Sequence, residues 1–256
     1  MAKLPRRLQH GEEATLVEHL EELRQRIFVC LGALVIGFCV TYAIHGTVLG
    51  WLNRYLPAHV GKPLTLGVAE PFLTVMKISL WGALLLATPV ILWQLWAFLA
   101  PTVEPRAERR VLVAVVSATA LLVAGVAFGY FVALPAAVHY LTNYGKELFN
   151  IQIRAADYYS FVTMVLIATA IVFELPVVVL ALVQLGILTT RQLRKNRRLG
   201  YFIVACIGVA LPGIDPVTTL IETIPLWILF EGSIWLAALF ERRRRKLAPS
   251  SATLGA

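Results

Sequence analysis

Charge is scarce in this chain. Of 256 residues only 15% are Asp, Glu, Lys or Arg, while 59% are hydrophobic; a soluble domain carries roughly 25% charged residues. The mean hydropathy is +0.75. Too little polar surface exists to cover a globule of this size in water, which excludes an ordinary soluble fold. Cysteine is nearly absent: Cys30, Cys39 and Cys206 lie in apolar runs without regular spacing, which supports neither a disulfide framework nor a zinc site. The five histidines, His10, His19, His45, His59 and His139, are scattered away from any metal-ligand pattern. A Gly-rich phosphate loop, an HExxH pair and a GxSxG elbow are all missing. No nucleophile stands beside a base. The chain is therefore expected to be no enzyme and to need no metal or cofactor, and energy from ATP would have to come from another chain.

What is abundant is long apolar sequence. A helix needs about 20 apolar residues to cross a hydrocarbon core of roughly 30 Å. Six runs qualify or come close: about Ile27–His45, Phe72–Ala100, Val111–Leu134, Tyr158–Leu188, Leu199–Leu211 and Val217–Phe240. The fifth is short, giving roughly 20 Å at 1.5 Å per residue. It ends at a strongly signalled turn, Leu211-Pro212-Gly213-Ile214-Asp215-Pro216. The expectation is an all-α polytopic protein, residues 1–241 forming one six-span domain and 242–256 a basic, then disordered, tail. Glu12–Arg26 reads as an amphipathic helix, with Leu16, Leu20, Leu23 and Ile27 on one face. Such a helix is expected to lie on the membrane surface before turning into the first span.

Six spans place both termini on one side, and the positive residues choose which. Of the 23 Lys and Arg, 18 fall in the N-terminal segment, the loops after spans two and four, and the tail. By the positive-inside rule both termini are expected in the cytoplasm. The run before Ile27 has no cleavable signal pattern and no transit peptide precedes Met1, so a bacterial inner membrane is expected.

Carboxylates at membrane depth are functional candidates by default. Glu174 lies mid-span, in Phe173-Glu174-Leu175-Pro176, where Pro176 removes a backbone donor. Glu222 and Glu231 sit nearer the two ends of span six, where pairing with Arg is the plainer reading. Lys77 is placed to snorkel or to pair with Glu70. On the cytoplasmic face Glu22 and Glu108 stand on separate segments of one side. Two fixed carboxylates converging there are suited to grip guanidinium groups; a solvated charged face is the alternative.

Several of these stretches resemble one family in the same order. His19-Leu20-Glu21-Glu22-Leu23-Arg24-Gln25-Arg26, Trp96-Ala97-Phe98-Leu99-Ala100-Pro101 with Glu108-Arg109-Arg110, and Phe173-Glu174-Leu175-Pro176 are similar to motifs of TatC, the receptor subunit of the twin-arginine translocase. Leu193-Arg194-Lys195-Asn196-Arg197-Arg198, Pro212-Gly213-Ile214-Asp215-Pro216 and Leu229-Phe230-Glu231 continue the resemblance, which covers about residues 15–240. It implies a glove-like concave bundle with short fifth and sixth helices. It implies that Glu22 and Glu108 grip the Arg-Arg pair of signal peptides of folded precursors, with Leu23, Arg24 and Phe98 completing the site. Glu174, Glu231, Thr219 and Asp215 are implied in contacts with single-span TatA/TatB-type partners in an oligomeric complex, with export driven by the proton motive force. Two departures stand out. The loop at Pro101–Glu108 is about one residue longer than usual and carries an extra carboxylate, Glu104. Thr219 stands where many relatives have a longer amide. A proton-coupled solute transporter built on Glu174 would instead require internal repeat symmetry, which the chain lacks.

Overall fold

The computed structural model describes residues 16–57, 60–99, 107–149, 151–184, 187–210 and 216–247. These residues are almost entirely helical: α1 (Leu16–Ala43), α2 (His45–Leu52), α3 (Glu70–Leu99), α4 (Ala107–Phe128), α5 (Leu134–Asn143), α6 (Ala155–Phe173), α7 (Leu175–Gln184), α8 (Thr190–Lys195), α9 (Arg197–Ala210) and α10 (Pro216–Leu247). Five stretches of the described chain are long and apolar enough to cross a membrane: Leu20–Ala43, Glu70–Phe98, Leu112–Asn143, Ala155–Gln184 and Thr219–Leu239. The sixth expected span is α9, whose 14 residues reach about 21 Å at 1.5 Å per residue.

Several boundaries differ from those expected. The amphipathic segment does not turn before the first span. From Leu16 to Ala43 the chain is one helix, because no proline interrupts it and an Arg26–Glu22 pair one turn apart supports the junction. The third span does not end at Leu134. A π turn over Gly129–Ala133 carries the helix on into α5 and to Asn143, absorbing Pro135, which has no N–H to continue the ladder. The fourth span is broken between α6 and α7 at Glu174, just before Pro176. The sixth helix is not short. α10 has 32 residues, since Glu241 and the basic residues after it favour helix and carry it past the apolar stretch; the expected domain boundary at 241 thus falls inside it.

Small residues set how closely the helices approach, as they do where lipid offers no hydrophobic drive between them. A Cβ added to Gly37 of α1 would lie 3.0 Å from the Ala83 carbonyl oxygen of α3, and one on Gly82 would lie 2.7 Å from Thr41 Cγ2. Thr41 Oγ1 donates across this contact to the Ser79 carbonyl at 2.7 Å. α4 packs on α6 in the same way: a Cβ on Gly125 would sit 2.8 Å from the Thr169 carbonyl. Two apolar clusters result. One joins Leu52, Ile78, Leu134, Val138, Tyr158, Tyr159 and Val162; the other joins Val172, Val204, Leu226, Phe230 and Ile234.

The end of the bundle opposite the basic loops is closed by polar ties. The Tyr158 hydroxyl donates to the Leu52 carbonyl at 2.6 Å, and that of Tyr159 to Asn53 Oδ1 at 2.9 Å. Leu64 and Arg154 form a parallel bridge. Beneath it Glu70, 7% exposed, accepts from Arg154 Nε at 3.0 Å and from a terminal guanidinium nitrogen at 3.3 Å. It also accepts from the backbone N–H groups of Leu66, Gly67 and Ala156. Glu70 therefore pairs with Arg154, and of the two readings offered for Lys77 the pairing with Glu70 does not hold. The reason is geometric: both Glu70 oxygens are filled by donors from the start of α6 and the loop before α3. The carboxylate raises the pKa of the Arg154 guanidinium above its ordinary value.

Two stability measurements check this packing. Gly125→Val places a branched side chain against the Thr169 backbone and is expected to cost about 1–3 kcal/mol; Gly32→Ala, whose Cβ meets open space, leaves the detergent melting temperature unchanged. Glu70→Ala and Arg154→Ala each lower that temperature, and the double variant loses less than the two single losses combined; strict additivity would show that the pair does not act as a unit.

Candidate functional site

The carboxylates singled out by the sequence fall into two regions, and the first is the basic end of the bundle. α1 starts there and α3 ends there. Glu22 precedes Arg26 by four residues, the favourable order for an ion pair along one helix face. Arg26 donates from Nε to Glu22 Oε1 at 3.0 Å, and a terminal nitrogen donates to the same oxygen. The guanidinium also reaches across to α3. It donates to Gln94 Oε1 at 3.1 Å and to the Ala97 carbonyl at 3.3 Å. Ala97 is in the last turn of α3, where carbonyls have no intrahelical donor and the helix dipole favours a cation. One arginine thus seals a helix end, joins α1 to α3 and holds a carboxylate. Glu22 keeps 37% of its side chain exposed and Arg26 22%.

The other expected members of this region are placed differently. Phe98 follows Ala97 directly in the last turn of α3 and is half-buried. Leu23 and Arg24 are exposed. The Arg24 guanidinium lies 5.7 Å from the centre of the Phe28 ring, a cation–π distance. Two residues correspond to about 200° around a helix, so Arg24 is turned away from Glu22. Glu108 is the second residue of α4, at the same end of the bundle, since α4 packs along α3. Its side chain, like Glu104 and Asp215, lies outside the described residues. Arg26 and Gln94 were not singled out by the sequence. The Glu22-to-Arg26 spacing was available as a signal for the first, and the lone amide in an apolar span for the second.

The second region begins at the break in span four and runs along α10 to the basic loop that holds α8 and the start of α9. At the break between α6 and α7, Glu174 Oε1 is buried and makes no hydrogen bond. Its backbone is well supported: Glu174 N–H donates to the Ile171 carbonyl at 3.1 Å, and its own carbonyl accepts from Val177 and Val178. Glu231 of α10 faces α9, where it pairs with Arg197 at 3.5 Å and accepts from the Tyr201 hydroxyl. Further along, Thr190 at the start of α8 donates to Glu241, so α8 and α9 are both tied to α10 by carboxylates. Thr219 is half-buried and its carbonyl accepts from Thr223 Oγ1 at 2.6 Å. Glu222, one turn on, is 2% exposed. Glu174 stands at the α6–α7 break and Thr219 and Glu231 on α10, whereas Glu22 is on α1, which packs on α3. Among the described residues no three His, Cys, Asp or Glu gather as metal ligands would.

Known proteins match this arrangement along nearly its full length. Residues 18–225 match the family model described as Sec-independent protein translocase protein (TatC). The chain is 37% identical over 225 residues to the TatC protein of Carboxydothermus hydrogenoformans, covering 87% of this chain and 92% of that one. It is 34% identical to TatC of Escherichia coli K12, covering 90% of each. Among solved structures, one described as the twin arginine translocase receptor TatC, crystallised in DDM, superposes with a TM-score of 0.76 at 31% identity, over 86% of this chain and 99% of that one. Sequence, helix order and superposition agree, and the chain belongs to the TatC family, the membrane component of the Sec-independent, twin-arginine protein translocase.

Proposed function

We propose that this protein is the receptor of a twin-arginine translocase, binding the Arg-Arg pair of signal peptides on folded precursors at its basic end. The observation that carries the reading is Glu22: a half-exposed carboxylate held in a fixed position by Arg26, at an end of the bundle otherwise dominated by positive charge. Glu108 enters the same end from α4 and supplies the second carboxylate, with Phe98 flooring the site beside Ala97. Leu23 and Arg24 contact the peptide outside the carboxylate pair. The likeness to a solved twin arginine translocase receptor supports this assignment.

In this reading the basic end faces the cytoplasm of a bacterial cell, α9 is a sixth, short crossing, and both termini lie inside. The helices α9 and α10, with Glu231, Thr219 and Asp215, receive single-span partner subunits of the TatA/TatB type, and the assembled complex exports folded proteins using the proton motive force. Glu174, at the break in span four, is the acid that responds to it.

Specificity follows from the chemistry of the grip. A guanidinium offers parallel N–H donors to a carboxylate, whereas an ammonium is a point charge. A labelled Arg-Arg signal peptide titrated into the detergent-purified protein is expected to bind at least about tenfold more tightly than its Lys-Lys counterpart, a difference of about 1.4 kcal/mol. Glu22→Ala with Glu108→Ala should abolish that difference. Equal binding of both peptides to both proteins would mean that the apolar part of the peptide alone is recognised. In vesicles energised by a proton gradient, Glu174→Gln is expected to stop export while leaving peptide binding intact; undiminished export would remove Glu174 from the coupling step.

A further inference from the structure

The Arg26 guanidinium already occupies the place an incoming guanidinium needs. A carboxylate grips a guanidinium side-on by offering both oxygens to two parallel N–H groups. Glu22 Oε1 takes two donors from Arg26, which commits both lone pairs of that oxygen. The side-on grip is closed to a second guanidinium until Arg26 lets go.

The surroundings of Arg26 make letting go easy. Its other two contacts, Gln94 Oε1 and the Ala97 carbonyl, belong to α3 and not to Glu22. An arginine has five N–H donors, so Arg26 can leave the carboxylate and stay anchored. Its charge remains against the C-terminal carbonyls of α3, where a cation is favoured. The pairing itself is favourable, since Glu22 is not left as an uncompensated, part-buried charge.

We propose, building on the receptor reading above, that Arg26 is an internal competitor for Glu22: it holds the carboxylate in the empty site and is handed to Gln94 and the Ala97 carbonyl when a peptide arginine binds. Arg26 thereby sets the affinity for guanidinium ligands. It has no such effect on lysine ligands, because a compact ammonium can reach the second Glu22 oxygen without displacing it.

The test uses the full-length, detergent-purified protein and two labelled signal peptides, Arg-Arg and Lys-Lys, with the melting temperature followed in parallel. Arg26→Gln removes the competitor and is expected to tighten Arg-Arg binding about fivefold, equivalent to about 1 kcal/mol of released pairing. Gln94→Leu removes an acceptor that receives the displaced guanidinium and is expected to weaken Arg-Arg binding. Lys-Lys binding stays unchanged in both. A merely structural tie between α1 and α3 would weaken both variants towards both peptides as their melting temperatures fall, and that result overturns the proposal. So does Arg-Arg binding that Arg26→Gln leaves unchanged or weakens. If Arg26→Gln does not fold, Arg26→Lys, which keeps the charge but releases the fork, decides together with Gln94→Leu. Arg-Arg binding that is lost in Glu22→Gln but indifferent to position 26 removes the competitor alone. An Arg-Arg peptide that binds neither the wild type nor any variant removes the receptor reading and the competitor with it.

Discussion

Hydrocarbon offers no partner for a backbone N–H or C=O, and nearly every feature of this chain answers that constraint. The long helices satisfy their own ladders. Where prolines remove a donor the helices still largely continue: Pro89 lies inside α3, and a π turn at Gly129–Ala133 precedes Pro135. Apart from the break at Glu174, the described non-helical backbone lies toward the two ends, where Glu70, Tyr158 and Tyr159 tie the loops at one end and Arg26 seals a helix terminus at the other.

The same constraint explains what the sequence could reveal. Spans are legible because length and hydropathy are local quantities, and the break at Glu174 is legible because Pro176 removes its donor at a fixed place. The continuous α1 is less so: a change from charged to apolar composition looks like a boundary, yet without a proline the helical ladder simply continues. The length of α10 misleads for a similar reason, since the basic residues that end the apolar run are themselves good helix formers. What no local pattern encodes is pairing across the chain. Arg154 lies 84 residues from Glu70 and Gln94 lies 68 from Arg26. Both partners are ordinary polar residues in their own neighbourhoods and acquire a role only when two helices are packed side by side. Hence the candidate carboxylates were found from the sequence, while the residues that orient them were not.

The two kinds of carboxylate also divide the molecule by how their charge is met. Glu70, Glu22, Glu231 and Glu241 each have a donor from a different helix or loop, or from the next turn, so they act as fixed joints between elements. Glu174 Oε1 is buried in the interior of span four without such a donor. A polar group of this kind costs stability wherever it stands, and it is carried at the point where the helix is already interrupted.

The Glu70 joint has a consequence for biogenesis. Its acceptor and two of its backbone donors belong to the entry of the second span, but Arg154 and Ala156 belong to the entry of the fourth. At ~5–20 residues per second of synthesis, the first pair of spans waits several seconds with the loop between them unlatched. That end of the bundle can lock only after the third span and the loop behind it have been made. Completion of this end is therefore a late event in folding, coupled to the arrival of a segment made long after the first hairpin.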